Sequence, residues 1–419
     1  MFFIQPLRFR FYFNKVLENL AVLINHEKRF INDEEGTVFM EEIYLDHAAT
    51  TPIHEKVLTT MYQIMNDTFG NPSSIHSFGR KARSYLDQAR RVMAESINAN
   101  EKEIIFTSGG TEADNLALIG TAMANKDKGK HIITSAQEHH ATLYAAKYLE
   151  KQGFKVTYLP VYPNGQISVD DLKKSLTDDT ILVSIMTVNN ETGIIQPIEE
   201  IGDLLKEHQA YFHTDAVQAF GQLAIDVKKL NIDLLSVSAH KINGPKGIGF
   251  LYAAEDVLIN ALQYGGEQER KRRPGTENVA GVVGMQAAVE IATASRHERI
   301  EENQRLKAVF LQTLREHDVN FMINGDEELA VSSIVNISFP GINVESMLTN
   351  LDLSGVAASS GSACTAGSVE PSHVLVAMYG EGNERTTNSI RFSFGLGLTP
   401  EMMVEAANRV SNIIKRLTN

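Results

Sequence analysis

The sequence predicts an α/β protein, with a large, doubly wound and mostly parallel sheet followed by a smaller α/β unit near the C-terminal end. Three observations lead there. Between about residues 50 and 295, short apolar runs alternate with amphipathic segments of helical period. Several runs are almost continuously apolar, as in Ile181-Leu182-Val183-Ser184-Ile185-Met186, which suits strands covered by helices on both faces. After a long charged helical segment, the pattern changes to well-separated strands and short helices.

In chain order, strands are expected at Glu103–Thr107, His131–Ser135, Lys155–Val161, Thr180–Val188, Tyr211–Asp215, Leu234–Ser238 and Gly247–Tyr252. Helical patterns fall at Arg80–Ile97 (Ala82, Tyr85, Leu86, Ala89, Val92 and Met93 recur at its period) and at Pro197–His208. The charged helix spans about Arg299–His317. Ser332–Phe339 then reads as a strand, Val344–Leu351 as a helix and Ser389–Phe394 as a strand. Thr399-Pro400 is a cap followed by proline at the first turn, so a last helix starts there. Its apolar positions Met403, Ala406, Val410, Ile413, Ile414 and Leu417 form a core face. The expected organisation is a large domain at residues 51–295 and a small one from residues 40–50 plus 296–419. Residues 1–39, aromatic and basic at first and then apolar from Val16 to Ile24, read as an extension outside the fold.

The bulk numbers exclude several classes. A formal net charge of −13 argues against a surface that tracks phosphates, so direct nucleic-acid binding is not expected. No stretch is apolar enough to cross a bilayer. A single cysteine in 419 residues allows neither an internal disulfide nor a thiolate metal cage, and it fits a reducing, cytoplasmic compartment. No histidine spacing indicates a metal; His54, His76, His208 and His373 read as surface or packing residues.

That cysteine, Cys364, sits in Ala357-Ala358-Ser359-Ser360-Gly361-Ser362-Ala363-Cys364-Thr365-Ala366-Gly367. It is either a small buried apolar residue or a reactive thiol on a mobile loop, since small neighbours leave little to pack around the sulfur. Other chemistry-bearing residues gather at predicted strand ends, where open α/β sheets bind ligands. Thr107-Ser108-Gly109-Gly110-Thr111-Glu112-Ala113-Asp114-Asn115 runs from a strand into a helix, and is either a plain capped turn or an anion site built from exposed N–H groups. Asp215 ends one strand and, taken alone, reads as a helix cap. Lys241 follows another, beside Ser238 and His240. A lysine at a strand end facing a cleft is a candidate Schiff-base amine if burial lowers its pKa. Together with the imidazoles of His139 and His140, these parts match what pyridoxal phosphate requires: an amine, a carboxylate for the pyridine nitrogen, a phosphate cradle and a stacking face.

The chain resembles the cysteine desulfurases of the class V aminotransferase-like group. The motifs that carry the resemblance begin with Tyr44-Leu45-Asp46-His47-Ala48-Ala49-Thr50-Thr51-Pro52, Phe69-Gly70-Asn71-Pro72-Ser73-Ser74, Thr107-Ser108-Gly109-Gly110-Thr111-Glu112 and Val188-Asn189-Asn190-Glu191-Thr192-Gly193. They continue with His213-Thr214-Asp215-Ala216-Val217-Gln218, Ser238-Ala239-His240-Lys241, Arg273-Pro274-Gly275-Thr276-Glu277-Asn278, Ser359-Ser360-Gly361-Ser362-Ala363-Cys364 and Ser389-Ile390-Arg391-Phe392-Ser393-Phe394-Gly395. The resemblance covers essentially all of Met40–Asn419 and implies the fold type I of pyridoxal-phosphate enzymes.

It further implies a role for each matching residue. Lys241 is the Schiff-base lysine, Asp215 pairs with the pyridine nitrogen and Gln218 with the ring oxygen. His139 stacks on the ring and moves protons, and Asn190 lies near ring or substrate. Gly110, Thr111, Ser238 and His240 bind the phosphate, with Thr276 reaching it from the partner subunit of a homodimer. Arg391 clamps the substrate carboxylate, with Asn71 close by, and Cys364 takes the sulfur of L-cysteine as a persulfide, leaving L-alanine. The sulfur then passes to an acceptor protein, either an iron–sulfur scaffold or a tRNA 2-thiolation enzyme. The Ser-Ser-Gly-Ser-Ala-Cys spacing resembles the housekeeping and nitrogen-fixation branch, although the chain ends at Asn419 without the longer tail with which housekeeping members dock a scaffold. Many relatives carry alanine where this chain has Gly110, and some carry threonine in place of Val217. A selenocysteine lyase, a transaminase or another lyase of the same fold is the alternative within enzymes; an inactive sulfur-transfer scaffold is the alternative outside them.

Overall fold

The computed structural model describes residues 29–33, 36–40, 42–360 and 370–418. β1 (Arg29–Asp33) and β2 (Gly36–Met40) pair antiparallel, Arg29 opposite Met40, and join no other strand among the described residues. β3 (Ile43–Tyr44) follows. Seven strands then form the large sheet: β4 (Ile104–Thr107), β5 (His131–Ser135), β6 (Lys155–Leu159), β7 (Thr180–Ser184), β8 (Tyr211–Asp215), β9 (Leu234–Ser238) and β10 (Gly249–Ala253).

Their spatial order is β4-β10-β9-β8-β7-β5-β6. The ladders from β6 to β9 are parallel, and β10 alone runs antiparallel, between β9 and β4. Every residue of β4, β5, β7, β9 and β10 is buried, as the unbroken apolar runs require of a sheet covered on both faces. β6, at the edge, is mostly half-exposed.

Several predicted strands end differently, three of them for a plain local reason. The run from Thr180 ends as a strand at Ser184: Ile185 and Thr187 still donate to His213 and Asp215 of β8, but the N–H of Met186 donates to the Glu138 carboxylate at 3.0 Å. β6 stops before Pro160, which has no N–H to donate. β10 begins at Gly249 rather than Gly247, whose φ of +76° is incompatible with a strand.

The helix Ser77–Ser96 buries Ala82, Leu86, Ala89 and Met93 on one face, and His76 caps it by accepting from the N–H of Gly79 at 3.2 Å. His54 caps Glu55–Asp67 in the same way, and His208 accepts from the N–H of Ala210. Val279–Ala294 packs against both helices. It is apolar almost all round, so no amphipathic period marks it in the sequence.

Beyond the long helix Arg296–Glu316 lie β11 (Met322–Ile323), β12 (Ile334–Ser338), β13 (Val356–Ala357) and β14 (Ser389–Ser393). β11, β12 and β14 form an antiparallel sheet, and β13 pairs in parallel with β3. The apolar face of the last helix, Pro400–Thr418, packs with Phe310, Phe392, Met347, Ile43 and Leu45 into a second core. Thr399 Oγ1 accepts from the N–H of Met402 at 3.3 Å, the cap its sequence announces.

Candidate active site

A cavity of about 370 Å³ opens at the C-terminal ends of β8 and β9, bordered by the start of the helix that follows β4. Gly110, Thr111, His139, Asn190, Asp215, Gln218, Ser238, His240, Lys241 and Arg391 all line it. Thr276 and Asn71 do not: both are exposed, and Asn71 uses its Oδ1 to accept from the N–H of Ser73 at 2.9 Å. Cys364 lies outside the described residues. The chain leading to it does reach the cavity, because Ser359 lines it and pairs with Arg391 across an isolated bridge.

Lys241 ends the short turn after β9, and its amine donates to the carbonyls of Ala48 and of Ala49, the latter at 2.8 Å. Burial, and then the Arg391 charge, push its pKa down to about 8, with Asp215 and Asp46 opposing. An amine of that pKa is partly free at neutral pH, which is what imine formation needs.

Asp215 closes β8, buried, accepting the N–H of Val217 at 2.8 Å. Desolvation pushes it up to about 6. Gln218, one turn on, donates to the Ala48 carbonyl at 2.9 Å.

His139 caps the helix His140–Lys151, its Nδ1 accepting from the N–H of Ala141 at 3.2 Å. That bond leaves the proton of the neutral ring on Nε2. The residue is exposed and lines the cavity; desolvation, followed by Lys241, lowers its pKa to about 4. The neutral, flat imidazole is a stacking surface. His240 is likewise driven to about 4, by burial first, and its Nδ1 lies 3.2 Å from Thr50 Oγ1.

The opposite end of the cavity is the N-terminus of the helix that starts at Gly110 and continues through a π-helical stretch, Leu116–Gly120, to Asn125. Gly109, with φ of +149°, turns the chain from β4 into it. Glu112 takes the N–H of Ser108 at 2.6 Å and is held by Arg273 Nε at 2.8 Å. That pairing compensates its charge beside an anion site.

Arg391, on β14, is buried; its guanidinium donates to Asp46 at 2.8 Å and to the carbonyl of Asn190 at 2.8 Å. Its Nε is buried without a partner among the described residues, leaving capacity for a ligand carboxylate.

Sequence reasoning missed three acids here. Asp46 pairs with the arginine, and Glu138, pushed up to about 8 by burial, fixes the bend after β7. Asp114 lines the cavity floor. Helical spacing could have found it, since Gly110 and Asp114 are four residues apart on one helix face.

The residue set fits pyridoxal phosphate: a buried amine of lowered pKa, a buried carboxylate across from it, a neutral ring facing the cavity and a glycine-opened helix N-terminus. The family described as Aminotransferase class-V matches residues 43–403. The chain is 60% identical over 379 residues to the putative cysteine desulfurase IscS 1 of Bacillus subtilis (strain 168), covering 90% of this chain and 100% of that protein. Among solved structures, a NifS-like protein superposes with a TM-score of 0.84 at 34% identity, over 90% of this chain and 100% of that one. A structure titled SspA in complex with cysteine gives 0.75 at 37%, over 84% and 98%. Pyridoxal 5′-phosphate is the cofactor that these likenesses and the cavity agree on. The chain belongs to the class-V aminotransferases, within their cysteine desulfurase family.

Proposed function

We propose that this protein is a pyridoxal-phosphate-dependent cysteine desulfurase that converts L-cysteine to L-alanine and carries the sulfur as a persulfide on Cys364. The observation that carries the reading is Lys241, a buried amine of lowered pKa, facing Asp215 and Arg391 in one cavity. When bound, the cofactor supplies an electron sink for the substrate's α-carbon. Lys241 holds the cofactor and takes the α-proton, and Asp215 receives the pyridine nitrogen while Gln218 faces the ring oxygen. His139 stacks on the ring and moves protons, with Asn190 beside it. Gly110, Thr111, Ser238 and His240 hold the phosphate. Arg391 orients the substrate carboxylate, with Asn71 near by. Attack by a thiol then distinguishes this enzyme from a transaminase, which needs none. The solved relative holding cysteine supports that substrate.

The working protein is a homodimer in which Thr276 reaches the partner's phosphate site. Thr276 is exposed and outside its own cavity, and Phe69, Ile75 and Tyr264, exposed by 77%, 90% and 94%, are large apolar side chains that a second copy would cover. Residues 51–295 form the cofactor-binding domain, and 40–50 with 296–419 the small domain carrying the cysteine loop; the apolar cluster around Phe310 and Phe392 lies wholly within the second unit, while the larger cluster also takes in Val331, Ile334, Val374, Leu375 and Met378 across the boundary. No helix among the described residues is long and apolar enough to cross a membrane. The enzyme acts in the cytoplasm and delivers sulfur to a partner protein, for iron–sulfur assembly or tRNA thiolation, because a net charge of −13 disfavours holding RNA directly.

Cys364→Ser tests the reading. It leaves Lys241, Asp215 and Arg391 untouched, so cofactor colour and its change on adding L-cysteine should persist while alanine release falls to background. Near-normal alanine release would make the protein a simple lyase instead.

A further inference from the structure

Asp114 has no part in the chemistry above, and its setting is unusual for an acid. It is 1% exposed, borders the cavity, and its Oδ1 has no hydrogen-bond partner among the described residues. A buried carboxylate ordinarily holds a cation or several donors. The basic group beside it is His213, whose Nε2 lies 3.7 Å from Asp114 Oδ1. That ring is held between Ser184 Oγ at 2.8 Å and Ser236 Oγ at 3.1 Å, and burial lowers its pKa to about 3, so it brings no charge.

The remaining groups around Asp114 come from each neighbouring element. Asp215 at the end of β8 and His139 after β5 each place a side-chain atom within 4.8 Å of it and of one another. Glu138 adds a further carboxyl, and Ser236 of β9 a hydroxyl. The Lys241 ammonium is turned to the carbonyls of Ala48 and Ala49, and its field acts on Asp215.

We propose that Asp114 is the proton-holding partner of Asp215, a positioning residue that keeps a single negative charge on the cavity floor. Two carboxyls this close in a buried site do not both ionise. Asp215 has the N–H of Val217 at 2.8 Å and the field of Lys241 to favour its charge, whereas Asp114 has no cation, so the proton resides on Asp114. Desolvation and then the charge of Asp215 raise the pKa of Asp114, outweighing the hydrogen bond from the Ser236 hydroxyl that pulls it down. The charge is thereby confined to the acid that faces the cofactor's ring nitrogen. This purpose rests on the cofactor reading of the cavity; the location of the proton does not.

The test is a carbon-13 NMR titration of the cofactor-free protein labelled at the aspartate side-chain carboxyl. One aspartate should remain un-ionised at about pH 7, and its signal should vanish in Asp114→Asn. In Asp215→Asn the same signal should ionise at a pH lower by about one unit or more, because the neighbouring charge is gone. Absence of an un-ionised aspartate in the unaltered protein, or its survival in Asp114→Asn, would overturn the proposal. So would a midpoint indifferent to Asp215→Asn, a result that stands even if Asp114→Asn fails to fold. Failure of the unaltered protein to bind pyridoxal phosphate would instead sink the reading of the cavity, without moving these signals.

Discussion

Gly110 and Val217 both line the cavity, and an added Cβ at 110 would stand 2.8 Å from Val217 Cγ2. The two positions are therefore one packing unit. Gly110→Ala should weaken cofactor affinity about tenfold, or ~1.4 kcal/mol, and Val217→Ala in the same chain should restore most of it. Titration of the cofactor-free variants with pyridoxal phosphate measures both. At Lys241 the free amine is the reactive form, so cofactor capture should accelerate up to about pH 8 and level off above it. Arg391→Gln removes a cation that lowers that pKa, and should move the limb to higher pH; a limb that stays in place would show that the Arg391 charge does not act on the amine. The placing of Lys241, Asp215 and His139 at the cavity is legible in the sequence because each lies at or just beyond the end of a recognisable strand. Asp114 and Glu138 were not, since a carboxylate on a helix or turn reads as solvated until the fold shows both buried.

The turn Glu269-Arg270-Lys271 holds three successive non-glycine residues at φ of 45°, 56° and 66°, a left-handed run that costs energy at each step. It persists because Glu269 is pinned from several sides. Arg90 clasps it at 2.6 and 2.7 Å, and the N–H of Phe106 donates to it at 3.1 Å, at side-chain exposures of 7% for Arg90 and 3% for Glu269. The charge run Glu267–Arg273 is thus anchored to the start of β4. Arg90→Ala leaves Glu269 buried and uncompensated, and should cost about 3–5 kcal/mol in urea unfolding. Pairing Arg90→Met with Glu269→Gln should recover much of that; equal losses in the single and double variants would refute the ion-pair explanation. Among larger elements, β5, β8 and β9 have the predicted ends, being bounded by polar residues or turns. Glu55–Asp67 escaped detection because its apolar Leu58, Tyr62 and Met65 are exposed and only Val57 and Ile64 are buried. The antiparallel direction of β10 was not legible either, because strand direction is set by the connection and not by the apolar run.

At the scale of the molecule, the histidines whose pKa desolvation lowers set the acid limit. His47, His139 and His240 are lowered to about 4 and His213 to about 3, burial leading in every case. Above about pH 6.5 both folded and unfolded chains keep these rings neutral and the stability is fully present. As pH falls from there through 4, the unfolded chain takes up protons that the folded one refuses, and stability is lost. The Tm of the cofactor-free protein should fall across that window, and His213→Asn should make the fall shallower. Glu138 acts in the opposite sense: raised to about 8, it favours the fold at low pH and withdraws that support as pH rises toward 8. Both cores and the doubly wound sheet follow from the apolar pattern, but the meeting of Arg391 from β14 with Lys241 after β9 depends on packing that no local pattern records. The central claim is that this meeting point holds pyridoxal phosphate on Lys241. Borohydride reduction of the cofactor-loaded protein, followed by peptide mass mapping, tests it most directly. A phosphopyridoxyl mass is expected on the peptide containing Lys241 and on no other; the same mass on a different lysine, or on none, would rule out Lys241 as the anchoring amine.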